Sequence, residues 1–284
     1  MIYRCNLVVP GFPKSGTSSL HVYLDRHPEI SMSTPKEPHF FNRDNVNLAN
    51  PEEHNKFFSC SENTKFYGES STTYCISTLA CERIKQHIFE PKIIILLRDP
   101  VERAVSHYKW LCALGYEKRP LHEALMANGH GFKFGESWGG NYKSYIQFSE
   151  YSKYVPMWQE SFGYENVLLL STKELSASPD QALKKVWRFL GVESINVEGL
   201  VQENRTSEIK SKRLPRWVLF FRDLAPMFLR RRLAESKNLS KWLKQLLSKD
   251  ASSEPWYTSK DIDSLKSSLE RDISFYKKTF LTNE

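Results

Sequence analysis

The amino-acid sequence predicts a three-layer α/β fold, with a central, mostly parallel sheet flanked by helices. Three observations predict it. Short apolar runs of strand length recur at residues 7–9, Lys92–Leu97 and 167–170, with helix-period patterns between them. The two later runs are apolar at consecutive positions, as in parallel strands covered on both faces. The 284 residues, 40% hydrophobic, 13% aromatic and 26% charged, can bury a sizeable core and exclude a disordered or collagen-like chain.

The elements follow in order. Leu7-Val8-Val9 runs straight into Pro10-Gly11-Phe12-Pro13-Lys14-Ser15-Gly16-Thr17, so a strand enters a polar, glycine-containing turn. A helix comes next, with Leu20, Tyr23 and Leu24 on one face, and His27-Pro28 stops it. Residues 31–63 lack periodicity and are rich in turn formers, so they read as an irregular insert. Phe66-Tyr67-Gly68-Glu69 reads as a short strand, residues 76–88 as a helix and Lys92–Leu97 as a buried parallel strand. Arg98-Asp99-Pro100 ends that strand, and Pro100 suits the first turn of a helix through about Leu114.

Residues 128–145, rich in glycine and aromatics including Trp138, Tyr142 and Tyr145, read as a loop or lid. A helix over about 145–162, a strand over 167–170 and a helix over 180–190 closed by Gly191 follow. Residues 216–247 carry an apolar face among basic residues, interrupted by Pro226. Residues 261–280 read as one amphipathic helix through Ile262, Leu265, Leu269, Ile273 and Tyr276. Neither an internal repeat nor a dividing linker is visible, so one domain over 1–284 is expected.

The formal net charge of +7 is unevenly placed. Residues 210–249 hold 12 Lys/Arg against Asp223 and Glu235, while the other residues hold 28 basic and 31 acidic side chains. That distribution argues against a nucleic-acid partner, which would want a broadly basic surface. Cys5, Cys60, Cys75, Cys81 and Cys112 are scattered, giving neither a zinc ribbon nor a disulfide scaffold. No apolar run approaches the ~20 residues of a membrane span, and the first residues lack a signal peptide's apolar stretch. A reducing, cytoplasmic setting is expected.

Two segments carry a pattern for binding anions. The turn at Lys14, Ser15, Gly16, Thr17 and Ser18 feeds a helix N-terminus, where backbone N–H groups and a lysine favour a phosphate-like group. It is not a Walker loop, because Lys14 precedes Gly16-Thr17 rather than following the second glycine. Arg98 ends a parallel strand, where open sheets bind ligands, and Ser106 lies about two turns into the next helix. Arginine grips a phosphate through two N–H groups, and a hydroxyl completes the shell. A surface ion-pair network among Asp99, Glu102 and Arg103 is the alternative for that segment.

Together these segments resemble the sulfotransferase family that uses 3′-phosphoadenosine 5′-phosphosulfate. Residues 13–18 look like its 5′-phosphosulfate loop, and Arg98 with Ser106 like its 3′-phosphate motif. Similarity continues through residues 151–158, 167–175 and 179–191. The resemblance implies a P-loop-like fold and sulfuryl transfer to a small-molecule or carbohydrate acceptor. The nucleotide product would be 3′,5′-adenosine bisphosphate, and the scheme requires no metal.

Lys36-Glu37-Pro38-His39-Phe40-Phe41 is similar to the acceptor-side motif of glycan 3-O-sulfotransferases. That similarity implies Glu37 as the base, with His39 beside it; His107 is a weaker candidate. In Gly68-Glu69-Ser70-Ser71-Thr72, Ser70 stands where the glycan enzymes carry a lysine, which argues against a strongly anionic glycan. The resemblance also puts Lys210, Lys212 and Arg213 near the loop over the 3′-phosphate. The basic segment 210–249 also suits peripheral contact with an anionic membrane, or helices that pack an apolar face with charged heads in water. A P-loop kinase or NTPase and a non-catalytic peripheral membrane protein are the rival readings.

Overall fold

The computed structural model describes residues 2–113, 116–127, 143–196 and 257–281. Its centre is a five-stranded sheet in the order β2-β3-β1-β4-β5, with every pairing parallel. The strands are β1 (Leu7–Gly11), β2 (Ile30–Met32), β3 (Phe66–Ser70), β4 (Lys92–Leu97) and β5 (Val167–Ser171). The expected three-layer α/β architecture is therefore present.

Helices α1 (Thr17–Asp25), α2 (Glu52–Asn55), α3 (Thr78–His87), α4 (Pro100–Ala113) and α5 (Leu121–Met126) fill the connections through the middle of the chain. They are followed by α6 (Tyr151–Phe162), α7 (Thr172–Ala177), α8 (Pro179–Leu190), α9 (Ser259–Ser268) and α10 (Glu270–Phe280). Residues of β1 and β4 alternate between two cores. Val8, Ile93 and Ile95 pack with Tyr74, Ile84 and Trp158, whereas Leu7, Val9, Ile94 and Leu96 pack with Leu24, Leu183 and Trp187. All nine residues of 7–9 and Lys92–Leu97 except Lys92 are fully buried, which is why those runs read as apolar at every position.

The structure differs from the sequence reading at particular places. The insert 31–63 is bounded by an edge strand, Ile30–Met32, which pairs with Phe66, Tyr67 and Gly68. Three residues are too few to show a period of two. The helix expected from 145 begins at Tyr151, after a 3-10 turn at Gln147–Ser149. The expected final helix is two, because Leu269 leaves helical geometry at φ −114, ψ 19 while its side chain stays buried.

Arg103 is not on the surface. It is fully buried, donating from Nε to Ser149 Oγ at 2.6 Å and from Nη2 to the Tyr145 carbonyl. Burial, which penalises its charge, lowers its pKa to about 10. It ties α4 to the segment before α6. Replacing Arg103 with Met strands a buried carbonyl, at a cost of about 1–3 kcal/mol. Urea unfolding of Arg103→Met should show that loss; an unchanged midpoint would contradict the structural role.

Candidate donor and acceptor site

The sheet order reverses beside β1: the chain leaves β1 for β2 and returns through β3 on one side, then crosses to β4 and β5 on the other. In an open α/β sheet that reversal opens a crevice at the carboxyl ends of the strands. The ends of β1, β3 and β4 deliver the Lys14 turn, Ser70 and Arg98 to that edge.

The turn after β1 is held from the β4–β5 side. Phe12 N donates to the Leu96 carbonyl at 3.0 Å, and the Thr172 hydroxyl lies 2.6 Å from the Ser15 carbonyl and 3.0 Å from that of Leu97. Gly16, at φ 95, caps α1 from the left-handed region, which costs an ordinary L-residue about 1–2 kcal/mol. No side chain caps this helix end, so it has the form of a helix N-terminus able to receive an anion. Gly11 serves a different need: a Cβ there would lie 2.8 Å from Cys75 Cβ, so its absence lets the 72–75 turn pack against the end of β1.

Lys14, also at positive φ (69°), extends over the Trp110 ring with Nζ 5.2 Å from the centroid. Burial first, then the charges of Arg98 and Arg103, lower its pKa to about 8, with Glu37 acting in the opposite sense. Lys14 is thus a desolvated cation among cations, an arrangement that a bound polyanion relieves. Thr17 is buried and Ser18 partly exposed in the first turn of α1, while Ser15 is buried against Tyr151.

Arg98 directs Nε and Nη2 at one oxygen of Glu102, at 3.1 and 3.0 Å. Glu102 is well exposed, and such an (i, i+4) pair contributes little, so a phosphate can displace it. Asp99 caps α4, accepting from the N–H groups of Val101 and Glu102. The surface network expected as the alternative therefore reduces to Arg98–Glu102, with Asp99 a helix cap and Arg103 in the core. Ser106 is buried on α4. Lys210, Lys212, Arg213, Trp138, Tyr142 and the segment 210–249 lie outside the described residues.

The acceptor-side segment is strapped to the end of β3. The N–H of Glu37 donates to the Ser70 carbonyl at 3.0 Å, and that of His39 to Ser71 Oγ at 3.1 Å. Both residues have positive φ, 60° and 51°. Glu37 Oε1 accepts from Lys36 Nζ at 2.7 Å and Thr72 Oγ1 at 3.3 Å, and Oε2 lies 3.3 Å from His39 Nε2. Burial alone would raise the Glu37 carboxyl; Lys36 and His39 together hold it well below the usual carboxylate range. His39 Nδ1 meets Thr73 Oγ1 at 2.9 Å, which fixes the ring.

Two residues here escaped the sequence reading as site members. His21 packs beneath the segment, its Nδ1 2.9 Å from Ser70 Oγ. Burial and then the Lys36 charge lower its pKa to about 4, so it is neutral at pH 7. Its position one helical turn after Thr17 was the available signal. Lys36 supplies the second: the cation missing at Ser70 has a counterpart in this ammonium, which also acts on Lys14 and His21.

His107 and Tyr145 belong to the core. Burial first, then Arg103 and Lys14, push the His107 imidazole well below its ordinary value, and its ring packs on Trp110, Tyr145 and Phe148. Tyr145 is fully buried and donates to Glu117 at 2.9 Å.

The chain matches the family model described as the sulfotransferase domain over residues 5–224. It is 28% identical over 203 residues to the bifunctional heparan sulfate N-deacetylase/N-sulfotransferase 1 of Mus musculus, covering 66% of this chain and 22% of that protein. It is 26% identical over 200 residues to heparan sulfate glucosamine 3-O-sulfotransferase 3B1 of Mus musculus, covering 70% and 49%. The chain thus spans less than half the length of these curated relatives. The crystal structure of a sulfotransferase from Alicyclobacillus acidocaldarius shares the fold, with a TM-score of 0.62 at 24% identity over 88% of this chain and 98% of that one. With most of its length matched by that model and its sheet built to the same plan, the chain belongs to the sulfotransferase domain family.

Proposed function

We propose that this chain transfers the sulfuryl group of 3′-phosphoadenosine 5′-phosphosulfate to a hydroxyl of a carbohydrate or small-molecule acceptor. An amine is the less favoured acceptor. The observation that carries the reading is a juxtaposition: the Lys14 turn follows β1, and Glu37 is bonded to the end of β3, the strand paired beside it, so cation and carboxylate share one edge of the sheet. The names of the curated relatives, which act on heparan sulfate, favour a carbohydrate among the acceptors. None of the five cysteines is in a disulfide, in keeping with the reducing, cytoplasmic setting we propose. Among the described residues no helix is long and apolar enough to cross a membrane.

In this scheme the α1 N-terminus and residues Lys14, Ser15, Gly16, Thr17 and Ser18 hold the phosphosulfate. Arg98, leaving Glu102, grips the 3′-phosphate with Ser106. The acceptor oxygen attacks sulfur in line as the bond from sulfur to the phosphate oxygen breaks. Lys14 offsets the charge that gathers on the departing phosphate, the role positioned cations have in phosphoryl transfer. Glu37 takes the acceptor proton, and His39 holds its carboxylate.

A carboxylate stabilised by Lys36 and His39 is a weak base in the free enzyme. An acceptor that draws Lys36 away, or excludes water from the crevice, strengthens it. Lys36 therefore reads as the regulator of the base, and an anionic acceptor group is the natural means of drawing it off. A kinase reading has less support, because the lysine precedes the glycine of the turn and a Walker pattern is lacking.

Acceptor panels incubated with the phosphosulfate donor and read by mass spectrometry test the reaction. Lys14→Ala should lower turnover by at least about 10²-fold. Glu37→Gln should lower it by about 10²–10⁴-fold while nucleotide affinity stays nearly intact. Full turnover in Glu37→Gln would move the base elsewhere.

The Lys14 pKa of about 8 also sets a pH dependence. Nucleotide binding favours the protonated amine, so affinity for 3′,5′-adenosine bisphosphate should be level below pH 8. Above it, affinity should fall by up to about tenfold per pH unit. The phosphates are already ionised there, with a second pKa of about 6. Calorimetry between pH 7 and 9.5 reads the fall, and Lys14→Arg should flatten it; a fall of the same size in that variant would reject Lys14 as its source.

A further inference from the structure

Away from the crevice, beneath the insert, three potential metal ligands meet in the core. Cys5 precedes β1, His54 lies on α2 and Glu69 on β3. Their relative exposures are 1%, 0% and 0%, so water does not screen them. One ligand atom from each lies within 4.8 Å of the others, and His54 Nε2 is 3.6 Å from Glu69 Oε1. A tetrahedral centre with bonds of ~2.0–2.3 Å sets its ligands ~3.3–3.8 Å apart, so the histidine–carboxylate edge is already correct.

Cys5 Sγ has one long contact, donating to the Leu7 carbonyl at 3.6 Å, which a thiolate bound to a metal would give up. Both ring nitrogens of His54 and Oε1 of Glu69 are buried without a hydrogen-bond partner. Glu69 Oε2, in contrast, is engaged, with Tyr74 OH at 3.3 Å and Ser71 Oγ at 3.4 Å. Buried polar atoms without partners are rare in native proteins, and a bound ion or water is the usual means of satisfying them. The His54 ring is enclosed by Phe40, Phe41, Phe57, Phe58 and Tyr3, whose hydroxyl donates instead to the Leu48 carbonyl at 2.8 Å.

We propose that Cys5, His54 and Glu69 form a structural zinc site that pins the insert carrying the acceptor segment to the sheet. A thiolate and a carboxylate balance the charge of a divalent cation, leaving a neutral centre suited to an apolar core. Thiolate, imidazole and carboxylate together are a zinc-type donor set; three protein ligands leave the fourth position to a water, as in open zinc sites, and it is burial away from the crevice that makes this one structural. The metal sits against Phe40 and Phe41, next in sequence to His39. It therefore acts on the acceptor segment through packing and takes no part in transfer.

The test uses the whole chain. After chelation and dialysis, wild-type protein should take up one zinc per chain and melt about 5 °C or more higher at ~100-fold excess over Kd. Cobalt should give a thiolate-to-metal charge-transfer band. In Cys5→Ser the band should vanish and zinc affinity fall at least tenfold, whereas Cys60→Ser, which removes the exposed thiol, should change neither. Absence of zinc uptake and of the band in wild type would overturn the proposal and leave a buried water or a bare His54–Glu69 contact. So would a band that survives in Cys5→Ser or disappears in Cys60→Ser. These readings need no turnover, so they stand apart from the transfer reaction.

Discussion

Everything at the site depends on the reversal of strand order between β1 and β4. Two parallel strands whose onward connections leave in opposite directions cannot have their carboxyl ends covered by one crossover, so a crevice stays open there. The chain must leave β1 and begin α1 within a few residues, which Gly16 in the left-handed region makes possible. The same reversal sets Arg98 beside the turn, since Gly11 of β1 lies opposite Ile95 of β4. Thr172, entering α7 from β5, closes the frame by reaching the Ser15 and Leu97 carbonyls. Residues scattered over some 160 positions thereby become one rigid rim.

Charge is distributed on that rim with a sharp asymmetry. On the side we propose for the donor, Lys14, Arg98 and the buried Arg103 crowd one another, and burial adds to the cost that a bound anion would relieve. On the acceptor side a single carboxylate is held by a lysine and a histidine. In the proposed reaction such a site would be organised before substrate enters, so binding would not be spent on reorganising dipoles. The formal net charge of +7 says little about this, because the excess resides in residues 210–249 whereas the informative cations lie in the nearly neutral remainder.

Much of the architecture was legible because burial leaves a simple trace. Strands β1, β4 and β5 are covered on both faces, so their apolar runs stand out, and Pro100 and Gly191 mark helix ends by their backbone limits. Lys14, Arg98, Glu37 and His39 could be singled out because short motifs carry them. What was not legible depends on distant partners. Strand β2 is three residues held by pairing with β3, and no local period announces it. Arg103 looks like a surface charge until Ser149 and Tyr145 surround it. The contact of His21 with Ser70 joins residues 49 apart in the chain, and the role of Lys36 shows only once its ammonium meets Glu37.

The central claim is that the rim holds a nucleotide with phosphates at two separate places, the α1 N-terminus and Arg98 with Ser106. Amide hydrogen exchange with 3′,5′-adenosine bisphosphate, and in parallel with ADP, addresses it most directly. The bisphosphate should slow exchange in peptides covering residues 14–19 and 98–107 together, and ADP should protect the first far more than the second. Equal protection of residues 98–107 by both ligands, or none by the bisphosphate, would contradict the account.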